Sequence, residues 1–123
     1  MLDLKNIHDL ELVESLFRYD GIDFLWISRM PSSDQLYISY LSNLSEDMLH
    51  DTVVYAPITP EQRLGLVEGR IPLWDLLDQP LARFDVVHSD NVCEVRGVEY
   101  LDSVRNLPED QRPKEGETLD LMG

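Results

Sequence analysis

The pair Asp20-Gly21 sits between two apolar runs, and it limits what this chain can fold into more than any other feature. Asp-Gly accepts the positive φ angles of a two-residue hairpin turn, which larger and branched side chains resist. The run before it carries two signals. Ile7, Leu10, Val13 and Phe17 recur at helical spacing behind Asn6 as a cap. The turn chemistry favours extended chain instead. We therefore read a strand over about 11–19 paired with one over about 22–29. A short helix before Leu10 stays open, and with it strand against helix for residues 6–18.

The second strand, IDFLWISR, is apolar on both alternating faces: Ile22, Phe24 and Trp26 on one, Leu25 and Ile27 on the other. Such a strand belongs inside a sheet. A turn at Pro31-Ser32-Ser33-Asp34 leads into QLYISYL as a third strand. A polar loop over 42–51, with room for one helical turn, precedes TVVYAP, a fourth strand closed by Pro57. ARFDVVH and VCEVRGV flank Ser89-Asp90-Asn91 as another hairpin. In the tail, Pro113-Lys114-Glu115-Gly116 has turn chemistry, and TLDL reads as a short closing strand. There is no internal repeat and no linker, so one domain over 1–123 is expected.

Between the fourth strand and the late hairpin the period changes. Thr59 is an N-cap, Pro60 suits the first helical position, and Gln62 completes a Thr-x-x-Gln capping box. Gly69 stands where a left-handed C-cap is wanted. Pro72 opens a second short helix and Pro80 ends it. Leu64, Val67, Leu73, Leu76 and Leu77 are expected to face the sheet. Leu66 falls off that stripe, Arg63 and Arg70 lie one heptad apart, and packing does not require Trp74 to be buried. These four, Arg63, Leu66, Arg70 and Trp74, are the partner-binding candidates, since exposed Arg, Trp and Leu anchor interfaces. The fold class is α+β: a mostly antiparallel sheet of about five to seven strands, with a short helical segment packed on one side.

Composition narrows the function. A chain of 123 residues, 43% hydrophobic, can bury a real core without disulfides, and its single cysteine, Cys93, cannot form an internal one. With no positively charged leader and no apolar run near the roughly 20 residues that span a bilayer, a cytoplasmic location is expected. Ten basic residues against 24 acidic ones leave a net charge of -14. That field repels phosphate backbones and anionic lipid, so no direct nucleic-acid or membrane binding is expected, and a basic protein partner is.

Catalytic signals are sparse. Ser28, Ser39 and Ser103 lack a nucleophile elbow. His88 and Cys93 lie five residues apart across the late hairpin, close enough to approach each other, and a Cys–His pair can activate a thiolate, but Cys93 between Val92 and Glu94 is more often a small core residue. His50-Asp51 and His88-Ser89-Asp90 do not amount to coordination geometry, and the glycines form no phosphate loop. No catalytic residue, cofactor or metal site is expected. The leading class is a non-enzymatic acidic protein-interaction module. The alternatives are a nucleic-acid mimic that inhibits a basic nucleic-acid-binding protein, and a small hydrolase using His88 and Cys93.

The order of these features resembles an uncharacterised family of small bacterial domains. The resemblance rests on the Asp20-Gly21 hairpin, on the segment from Pro57 to Leu77 with its L-x-x-G-x-I-x-L-x-D-x-L pattern, and on Leu107-Pro108-Glu109 with Pro113, Gly116 and Leu119. Where the family shows E-R-L, this chain has Glu61-Gln62-Arg63-Leu64, one residue longer. The resemblance implies the fold. With the small size, it implies an accessory, antitoxin, immunity or phage-defence setting.

Overall fold

The computed structural model describes residues 10–19, 21–44, 49–89 and 92–118. Within them six strands run in chain order across one antiparallel sheet. These are β1 (Glu11–Tyr19), β2 (Ile22–Met30), β3 (Gln35–Leu44), β4 (His50–Ile58), β5 (Leu81–Ser89) and β6 (Val92–Leu101). Between β4 and β5 lie α1 (Pro60–Val67) and α2 (Leu73–Leu77), and 3-10 turns at Val104–Asn106 and Glu109–Gln111 follow β6. The α+β class and the antiparallel sheet are as the sequence indicates.

The first hairpin forms where Asp-Gly puts it. Tyr19 pairs with Ile22, and Gly21 has φ 78°; Asp20, the residues before Leu10 and the short helix considered there lie outside the described residues. β2 is an interior strand, with β1 on one side and β3 on the other. Two strand limits differ from expectation. β3 runs on to Leu44 and β4 starts at His50, so much of the expected polar loop is ladder: Asn43 pairs with Thr52, and Ser42 Oγ donates to the Thr52 carbonyl at 3.2 Å. Nor does Pro57 close β4, which continues to Ile58. Its carbonyl accepts Gln79 Nε2 at 2.9 Å, and N and C=O of one strand residue point the same way. The missing N–H therefore faces the helices rather than β3. In the tail, Gly116 (φ 79°) sits in the expected turn, whereas Thr118 is not in a strand and the rest of TLDL lies outside the described residues.

Strand alternation divides the sheet into two faces. On one, Leu25, Ile27, Ile38, Val54, Ala56 and Ile58 pack under the helical segment. α1 begins with the full capping box: Gln62 N–H donates to Thr59 Oγ1 at 3.1 Å and Thr59 N–H to Gln62 Oε1 at 2.8 Å. It ends in a Schellman closure, with Gly69 at φ 77° and the N–H groups of Arg70 and Gly69 donating to the Gly65 and Leu66 carbonyls. The returning chain presses Ile71 so tightly on Gly65 that a Cβ there would run into it. This docking sets the rotation of α1 and corrects the expected stripe. Leu66 is fully buried, and Leu64, about 200° away around the helix, is 49% exposed. Leu73, Leu76 and Leu77 face the sheet as expected.

The other face carries Tyr37, Leu41, Val53, Tyr55, Ala82, Phe84 and Val86, all buried, although no described helix packs on it. Strand register contributes to this. One cross-strand row reads Trp26–Ser39–Tyr55–Ala82–Tyr100, large and small in alternation. The Trp26 and Tyr55 rings meet edge to face over Ser39 at 6.4 Å, and Tyr55 meets Phe84 at 5.3 Å. Under them Ser39 and Ser28 hydrogen-bond to each other at 3.1 Å, satisfying two buried hydroxyls.

Two stability outcomes follow. Gly21→Val forces a branched residue into the left-handed region and should cost about 1–3 kcal/mol in a denaturation curve, with Gly21→Asn milder. Leu76→Ala, which empties a 2% exposed site between α2 and the sheet, should cost about 2–5 kcal/mol by the same measurement.

Candidate functional site

The four partner-binding candidates do not share an exposed surface. Leu66 is buried by the docking of α1 described above, and Trp74 is 6% exposed within the helix-side core. Trp74 is enclosed because the chain after β6 returns over α2. Asp78 accepts hydrogen bonds from Ser103 Oγ and from the Arg105 guanidinium, which lies 5.4 Å from the centre of the Trp74 ring. The Ser103 hydroxyl, and then Arg105, hold the Asp78 carboxyl below its ordinary value. Arg63 is paired with Glu14 of β1 at 2.5 Å, tying α1 to that strand. Arg70 is exposed, beside Glu68. Arg63 and Arg70 thus stay near the surface, while the two apolar anchors are core.

Polar groups gather at the far end of the sheet. A cleft of about 520 Å³ is lined by Asn43, His50, Thr52, Asp85 and Arg96, with Asp51, Val86 and Val87 completing its wall. Thr52 Oγ1 donates to Asp85 Oδ1 at 3.4 Å across the β4–β5 ladder, and Arg96 pairs with Glu94 at 3.2 Å. Diagonal to this, His88 Nε2 donates to Asp51 Oδ2 at 2.6 Å. The pair fixes the ring and, in the neutral imidazole, its tautomer, leaving Nδ1 as the basic nitrogen. The expected proximity of His88 and Cys93 is present in the backbone register, where the two residues pair. No group of three or more metal-ligating side chains assembles among the described residues. Sequence reading set His50-Asp51 and His88 apart, because their meeting depends on the β4–β5 register.

The third feature is apolar. Large hydrophobic side chains that stay exposed include Leu12, Val13, Phe17 and Tyr19 on β1, and Val98 and Tyr100 on β6. Both strands are edges of the sheet. A signal for this was present: in a meander joined by short turns, the first and last strands must be outermost.

Compared with protein-family models, with curated proteins and with solved structures, the chain matches none.

The dyad has a direct spectroscopic check. Long-range proton–nitrogen correlation NMR of neutral His88 should show the proton on Nε2 and a bare Nδ1. Asp51→Asn should mix the tautomers. A dominant Nδ1–H form in the parent would contradict the pairing.

Proposed function

We propose that this chain is a non-enzymatic, acidic protein-interaction module that takes a basic protein partner. The observation that carries the reading is where apolar surface is left over. Aromatic and aliphatic side chains remain exposed on β1 and β6, the strands whose outer backbone groups have no ladder partner among the described residues. Exposed apolar edges are a liability for a free-standing protein and an asset for one that binds. The charge of -14 selects the partner, because like charges facing across an interface cost several kcal/mol. It also keeps copies of the chain apart, which suits a sheet with open edges.

Binding to a basic partner should weaken as salt rises from about 0.1 to about 1 M, where the screening length falls from about 10 to about 3 Å. Titrating duplex DNA into the isolated complex separates this reading from nucleic-acid mimicry. An undisturbed complex supports the plain module, and displacement of the chain by DNA supports the mimic. Direct binding of the chain to duplex DNA at physiological salt would contradict both, since that interaction needs clustered cations to displace counterions.

A further inference from the structure

The two edges differ, and the difference points to one of them. β1 is irregular: its ladder with β2 shifts register at three places, between Leu12 and Glu14, Ser15 and Phe17, and Phe17 and Arg18. Bulges of this kind twist an edge away from a flat partner. Its charges are also spoken for, with Glu11 on Arg29, Glu14 on Arg63 and Arg18 on Asp23. β6 is the opposite case. Its one register shift lies before Gly97, and from there Gly97, Val98, Glu99, Tyr100 and Leu101 pair in unbroken order with Asp85 through Leu81.

That regular stretch has two chemically distinct faces. Val98 and Tyr100, 45% and 55% exposed, are the outer ends of the rows Leu41–Val53–Phe84–Val98 and Trp26–Ser39–Tyr55–Ala82–Tyr100. Both apolar rows therefore run off the sheet unfinished. On the other face Glu99 pairs, among the described residues, with Arg83 at 4.0 Å and shares it with Asp85. Exposed Glu94 and Asp102 flank the stretch. Four carboxylates (Asp85, Glu94, Glu99, Asp102) meet two guanidinium groups (Arg83, Arg96), so the edge keeps an excess of two negative charges.

We propose that residues 97–101 are a docking strand, and that the occupant is an extended segment of a basic partner protein added alongside β6 as a seventh strand. Main-chain hydrogen bonds supply the pairing, as in other strand additions. The side-chain code follows from the two faces: apolar residues extend the rows at Val98 and Tyr100, and Lys or Arg at the alternate positions faces Glu99. The inference rests on the protein-interaction reading above and assigns its surface.

The probe is a synthetic end-capped peptide alternating Lys and Val, with a Glu–Val peptide as control. The Lys–Val peptide should bind the full chain and slow amide exchange within residues 97–101, while the control does neither. The double variant Val98→Lys/Tyr100→Lys places edge-blocking cations on β6 and should lower affinity at least tenfold, whereas Leu12→Lys/Tyr19→Lys on β1 should leave it unchanged. Protection measured on the parent chain keeps the test valid should a variant unfold. Protection at β1, equal binding by the β6 variant, or no binding at a peptide concentration on the order of 1 mM overturns the proposal. So does protection of β6 that grows with the chain's own concentration, which would assign the edge to a second copy. Basic proteins that bind parent and β6 variant alike overturn this surface while leaving the interaction reading intact; failure of every basic protein to bind removes both.

Discussion

Ser39, fully buried in the middle of β3, is the residue on which the two-sided sheet depends. Its small side chain lets Trp26 of β2 and Tyr55 of β4 reach over it and meet, and its hydroxyl is satisfied by Ser28. No described helix covers this face, and apolar side chains left in water would oppose folding. Among the described residues this face packs side chain on side chain, with large residues beside small ones along the row Trp26–Ser39–Tyr55–Ala82–Tyr100. Closure works only where a strand has neighbours on both sides. At β1 and β6 it fails, and Phe17, Tyr19, Val98 and Tyr100 are left exposed.

The opposite face is closed by different means, and these explain why Leu66 and Trp74 of the helical segment are buried. Its start is capped by Thr59 and Gln62, and its middle is folded back on Gly65. Gln79 Nε2 donates both to the Pro57 carbonyl and to the Leu76 carbonyl, stitching α2 to β4. Asp78 then draws Ser103 and Arg105 over Trp74, so Val104 and Leu107 complete the core. Polar groups here serve closure. Surplus carboxylates and surplus apolar surface coincide at the β6 edge, and that coincidence is the physical basis of the proposal that a basic partner docks there.

Much of this was legible in the sequence because local chemistry determined it. Asp20-Gly21 specified the first hairpin, Thr59 with Gln62 specified the helix start, and Gly69 specified its end. Alternation in IDFLWISR placed Leu25 and Ile27 opposite Phe24 and Trp26. What could not be read locally depended on register or docking. The rotation of α1, which buries Leu66 and exposes Leu64, is set by Ile71 lying on Gly65 and by Arg63 meeting Glu14, contacts made only after the chain folds back. The Asp51–His88 pair and the Trp26–Ser39–Tyr55 row are likewise products of strand register. Tyr100 as an exposed edge residue required knowing that β6 is last in the sheet, a fact about topology rather than composition.

Packing of Trp26 and Tyr55 over Ser39 is what joins the strands on the face that no described helix covers, and substitution at Ser39 tests it most directly. Ser39→Ala keeps the space and removes one hydroxyl, leaving Ser28 unpaired at a cost of about 1–3 kcal/mol. Ser39→Leu also removes the hydroxyl but fills the gap over which Trp26 and Tyr55 meet, so it must push the rings apart, adding about 1–3 kcal/mol of overpacking. Chemical denaturation of the two variants side by side should show the leucine clearly less stable than the alanine, with loss of the near-ultraviolet signal from the Trp26–Tyr55 contact. A leucine variant as stable as the alanine variant, with that signal intact, would contradict the account.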